Sequence, residues 1–83
     1  MAKWTTFKWA DHLELDDGAV FGSIFWNADK SEFNIVINQA VVPGTFNNLD
    51  KARLALEIKA RDYYRGAVIE INDLIKREVQ NEL

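Results

Sequence analysis

Residues equipped for chemistry are few in this chain, and most of them lie between positions 11 and 23. His12, Glu14 and Asp16 alternate, so on an extended strand their side chains share one face. That spacing offers one imidazole nitrogen and two carboxylates to a cation. The plainer reading is a solvated strand face running into a turn, and no metal site is expected. His12 and Ser23 come opposite each other if Asp17-Gly18 between them turns the chain back. A serine beside a histidine becomes a nucleophile only when a third group orients the base. An open sheet face supplies neither a pocket nor donors for an oxyanion, so a cross-strand polar pair is the expectation. Glycines at 18, 22, 44 and 66 are too dispersed for a phosphate-cradling loop. Asp62-Tyr63-Tyr64-Arg65 reads as packing plus capping of a helix end by Arg65. The expectation is a protein that is not an enzyme, with no catalytic residue and no cofactor.

The elements that hold these residues must fit in 83 residues, which predicts a single domain over 1–83. A chain of this size buries only roughly 60–65% of its unfolded surface. Its core is thin, and stability must come from good packing or from a partner subunit. No cysteine is present, which rules out disulfides and thiolate zinc sites. Met1-Ala2-Lys3-Trp4 does not open a signal peptide, and no stretch approaches the ~18 apolar residues of a membrane span. A cytoplasmic protein without membrane contact is expected. Residues 1–42 carry three basic and six acidic side chains, and residues 43–83 carry seven of each. Nucleic-acid binders show a basic footprint, and this chain does not, so nucleic acid is not the expected partner.

Asp17-Gly18 favours a two-residue hairpin turn, because both central residues of that turn need positive φ. The register it sets pairs Leu13 with Gly22, Asp11 with Ile24, His12 with Ser23, Glu14 with Phe21 and Ala10 with Phe25. A second turn centred on Asp29-Lys30 pairs Trp26 with Phe33 and Ile24 with Ile35. Together they predict a three-stranded antiparallel meander over about 4–15, 19–27 and 32–39. Phe7, Trp9, Leu13, Leu15, Val20, Ile24, Trp26, Phe33, Ile35 and Ile37 then share one face, an agreement across levels. Asp11 is the misfit on that face, and a bulge near Ala10-Asp11 would remove it. Pro43-Gly44 ends the strand region.

Asn48 is a good N-cap and Asp50 suits the first helical turn. Leu49, Ala52, Leu56, Ala60 and Tyr63 recur at helical spacing and predict a helix over about 48–64, packed on the sheet. The class is therefore α+β. Leu54 and Ile58 form a second apolar stripe that needs its own cover. Gly66 either ends the helix, so that a second segment over 67–82 folds back, or lies inside one continuous helix. Residues 67–71 also have the β-branched composition of a fourth strand. In the continuous case Leu54, Ile58, Val68, Ile75 and Val79 form an exposed stripe, a candidate oligomer interface. A helix of about 35 residues is roughly 50 Å long, and its end would project.

The other face of the predicted sheet carries Phe21, Phe25 and Val36 among His12, Asn34 and Asn38. Apolar groups rimmed by polar ones mark interaction sites, and these six residues are the candidate partner-binding surface. The order of strands, with Asn48-Leu49-Asp50-Lys51-Ala52 opening the helix, looks like many small βββα proteins of bacteria and their phages. More distantly, it resembles the double-stranded-RNA-binding-like folds and the partial form of that fold in some antitoxins. The likeness spans residues 7–64 and is one of architecture. RNA-binding members open this helix on basic residues, whereas here Asp50 stands beside Lys51. The reading that follows is a small, acidic, homodimeric protein-binding module, of phage or mobile-element type, that acts as an accessory or inhibitor of a host protein. A single-strand binder using an aromatic sheet face and a structural homo-oligomer are the alternatives.

Overall fold

The computed structural model describes residues 1–7 and 9–82, and side chains as far as Gln80. Its elements are β1 (Lys3–Phe7), β2 (Ala10–Glu14), β3 (Val20–Asn27), β4 (Glu32–Ile37), β5 (Ala40–Val41) and α1 (Leu49–Glu82). The strands form one antiparallel sheet in the order β1-β2-β3-β4-β5. The expected α+β class is present, with five strands where three were expected. Among the described residues, no helix is long and apolar enough to cross a membrane.

The predicted first strand, 4–15, is two strands. Phe7 pairs with Ala10 and Lys3 with Glu14, so the chain reverses between Phe7 and Ala10. Nothing in Phe7-Lys8-Trp9-Ala10 has turn composition, which is why the reversal was not legible. Its effect is large. Phe7 is moved to the face away from the helix, and Trp4 is brought beside Leu13 on the helix side.

The turn at Asp17-Gly18 forms, but with three residues rather than two. The Leu15 amide donates to the Ala19 carbonyl at 2.8 Å, and the Gly18 amide to the Leu15 carbonyl at 2.9 Å. Gly18 has φ 85°, the left-handed residue that follows a type I turn in such loops. The extra loop residue shifts the register by one, so Glu14 meets Val20 instead of Phe21. A β-bulge between Leu13 and Glu14 then shifts it back, with Phe21 as the unpaired residue. Beyond the bulge Leu13–Gly22, His12–Ser23, Asp11–Ile24 and Ala10–Phe25 pair as predicted. Two irregularities cancel, and the long-range register survives a misread turn. The β3–β4 pairs Trp26–Phe33 and Ile24–Ile35 also follow the expectation.

A two-residue turn with both central residues left-handed does occur, at Asn38 (φ 53°) and Gln39 (φ 65°). It folds β5 back on β4, pairing Ile37 with Ala40 and Val36 with Val41. Asn38 is therefore a turn residue rather than part of a strand face. Gln39 gave no signal, because an unbranched amide is not a usual left-handed residue.

The helix starts as expected. The Asn48 side-chain oxygen accepts from the Lys51 amide at 3.2 Å, which satisfies one of the unpaired donors of the first turn. It then runs without a break for 34 residues, through Gly66. An exposed interior glycine costs about 1 kcal/mol relative to alanine. That is too little to end a helix whose backbone hydrogen bonds continue on both sides.

Leu13, Ile24, Ile35, Ala52, Leu56 and Ala60 are the core. Gly22 lets the helix come close, since a Cβ there would meet Leu56 Cδ1 at 2.9 Å and the Val36 carbonyl oxygen at 3.1 Å. All three helical core residues belong to the first twelve residues of α1. The rest of the helix leaves the sheet behind, so the molecule measures 61 × 24 × 20 Å. Its radius of gyration is 16.7 Å, against roughly 12 Å for a compact chain of this length.

Candidate functional site

Past Ala60 the helix has no further buried side chain among the described residues. This overhang, about 22 residues and so roughly 33 Å at 1.5 Å per residue, is not polar all round. Tyr64, Val68, Ile71, Leu74, Ile75 and Val79 are between 43% and 58% exposed. Their spacing of three and four residues places them on one side of the helix. This stripe prolongs, with a gradual rotation, the side that Leu56 and Ala60 present to the sheet. Tyr64, Ala67, Val68 and Ile71 line a shallow apolar depression on it.

Two clusters fix α1 to the sheet, the first of them at the root of the overhang. Phe21, turned over by the bulge, packs on Tyr63 and Tyr64 with ring centroids 5.8 Å from each. The two tyrosines meet edge to face at 5.1 Å, a favoured aromatic geometry. At the other end of the sheet, Arg53 donates to Asp11 Oδ2 from Nε at 3.1 Å and from Nη2 at 2.5 Å. Its guanidinium lies 5.3 Å from the Trp4 ring centre, and the Trp4 indole N–H donates to Glu57 at 3.4 Å. Burial alone would raise the Asp11 pKa. The hydrogen bonds from Arg53 and the Thr6 hydroxyl, with the charges of Arg53 and His12, outweigh it and hold the carboxyl below its ordinary value. Asp11 was the misfit of the apolar face. Arg53 is the reason it is there, and the bulge expected at Ala10-Asp11 lies elsewhere.

Of the six residues expected on the outer face, His12, Phe25, Asn34 and Val36 are there. His12 faces Ser23 and Asn34 faces Phe25 across the strands. Phe25, Asn34, Val36 and Val41 line one shallow depression. Phe21 is on the helix side and Asn38 is in a turn. The two-ring platform of Phe21 and Phe25 does not form. His12 Nδ1 and Ser23 Oγ are 2.6 Å apart, a polar pair on an open face. Asp16 lies in the loop beyond the strand, and the described residues contain no group of three or more side chains fit to hold a metal ion.

Of the five residues expected at an oligomer interface, Val68, Ile75 and Val79 belong to the overhanging stripe. Leu54 and Ile58 are exposed, but on the side of the sheet-packed segment that points away from the sheet. The sequence does not single out Tyr64, Ile71 and Leu74 as interface residues, because Tyr64 reads as packing at a helix end, and Ile71 and Leu74 continue in phase the side of the helix that packs on the sheet. Trp9, expected on the covered apolar face, is instead 89% exposed, because the chain reverses beside it.

No protein-family model matches the chain, and neither a curated protein nor a solved structure does. The overhanging face is the feature on which a functional reading has to stand.

Proposed function

We propose that the chain is a small non-enzymatic protein-binding module that docks its partner through the overhanging part of α1. The observation that carries this is the apolar stripe from Tyr64 to Val79, which leaves the sheet behind after the Phe21–Tyr64 contact. A stripe about 24 Å long and one helix diameter, about 10 Å, wide is roughly 240 Å² of apolar envelope. A contiguous apolar stripe rimmed by charged residues marks an interaction site. A long, straight, one-sided apolar face fits an amphipathic helix of the partner, read at spacings of three and four residues. In this reading the chain is an accessory or inhibitor protein, which occupies its partner and transforms nothing.

A photo-crosslinking amino acid placed at 71 and, separately, at 62 tests this. Asp62 lies on the opposite side of the same helix, so it reports background contact. Adducts formed in cells at position 71, and several-fold fewer at 62, are expected. Equal yields at the two positions would remove the stripe as the docking surface.

A further inference from the structure

Resting on that reading, we infer that the helix docked on the stripe is the α1 of a second copy of this chain, running antiparallel. The charges around the stripe point to it. Residues 61–80 carry four basic side chains (Arg61, Arg65, Lys76, Arg77) and four acidic ones (Asp62, Glu70, Asp73, Glu78). The segment has no net field with which to select an oppositely charged partner. Its charge beside the stripe is nevertheless polarised. Arg61 and Arg65 stand at the root and Glu78 at the tip, in line with Tyr64 and Ile71. Two antiparallel copies bring each root against the other's tip.

The apolar residues fix the register. With Val68 opposite the partner's Ile71, Tyr64 falls opposite the partner's Ile75, and Arg61 opposite the partner's Glu78. The four apolar positions 64, 68, 71 and 75 then meet one another, and Arg61 meets the partner's Glu78, while Arg65 lies over the partner's Leu74 with its aliphatic stem. A parallel pair would set Arg61 beside Arg61 and Glu78 beside Glu78, and its helix dipoles would align unfavourably. Gly66 lies on the far side of the helix, clear of the contact. The roughly 240 Å² of apolar envelope from each chain and its charged flanks fall short of the ~800 Å² per partner of a standard interface. The association expected is therefore micromolar, and the same surface is free at low concentration.

Light scattering of the purified chain through the micromolar range is the first measurement. A monomer–dimer equilibrium is expected, and Ile71→Asp weakens it by on the order of 100-fold. Arg61→Glu weakens it too, and Arg61→Glu with Glu78→Arg restores it. All three positions are exposed, so circular dichroism of each variant stays that of the parent. The chain has no cysteine, so Val79→Cys reports orientation cleanly. Antiparallel copies hold the two 79 positions roughly 30 Å apart, and no disulfide forms. A monomer at every concentration would overturn self-docking, as would a dimer that Ile71→Asp leaves intact. A Val79→Cys disulfide, or a double charge swap that fails to rescue, would overturn the antiparallel arrangement. If the chain is monomeric and crosslinks at 71 reach other proteins, self-docking fails while the docking surface stands. If it is monomeric and the crosslinks at 71 match those at 62, both fail.

Discussion

At the scale of single residues, the fold depends on a few side chains whose types look wrong for their places. Asp11 sits on the apolar face of the sheet because Arg53 reaches it from the helix. Its partners depress its pKa below the ordinary 3.8. A carboxyl depressed in the folded state stabilises the protein above its unfolded pKa, and the contribution is lost as pH falls through the folded value. Asp11→Asn should therefore cost about 1–3 kcal/mol in urea unfolding at pH 7. The gap between parent and variant should close as the pH is taken below 3.8. A gap of constant size down to the acid limit would show that Asp11 acts by shape and not by charge. Phe21 makes a related point. Strand alternation assigned it to the outer face, and one extra residue in β3 rotated it under the tyrosines.

At the scale of elements, Gly66 separates two readings of the helix with a sign. A helix-ending glycine takes positive φ, where a Cβ is strained. Gly66 is inside α1, and a Cβ on it would meet nothing within 4 Å. Gly66→Ala should therefore increase helical ellipticity, and stabilise the overhang by about 0.8–1 kcal/mol on helix propensity alone. Slowed amide exchange at residues 63–69 would register that gain locally. Loss of helix signal instead would mean that the chain turns at Gly66.

At the scale of the whole molecule, the sheet with the first twelve residues of α1 is a small packed body, and the overhang is an extension of it. The extension makes no buried contact with the sheet beyond Ala60. Phe21 does rest on Tyr63 and Tyr64, so a truncation has to spare them. A chain ending at residue 66, kept dilute enough to be monomeric, should unfold by tryptophan fluorescence within about 0.5 kcal/mol of the parent, the range of changes remote from packing. At concentrations where the parent self-associates, the truncated chain should lose the additional, concentration-dependent stability that dimer formation provides. A large loss of stability at dilution would show that the overhang supports the sheet within one chain.

The sequence by itself determined what local chemistry and periodicity determine. That includes the α+β class, the pairing of β2 with β3 and of β3 with β4, the Asn48 cap, and the core line of Ala52, Leu56 and Ala60. Each follows from the alternation of side chains on a strand, their recurrence on a helix, or a capping side chain. The tertiary structure alone decided the rest. The reversal at Phe7–Ala10, the left-handed Asn38-Gln39 turn and the bulge at Phe21 lack a compositional mark, because packing elsewhere selects them. The continuity of α1 was undecided at Gly66 for the same reason: a cost near 1 kcal/mol is settled by what the neighbouring turns contribute. His12 and Ser23, the pair best placed for chemistry, proved to be a cross-strand contact on an open face. The functional question passed from that pair to an apolar stripe that the sheet is too short to cover.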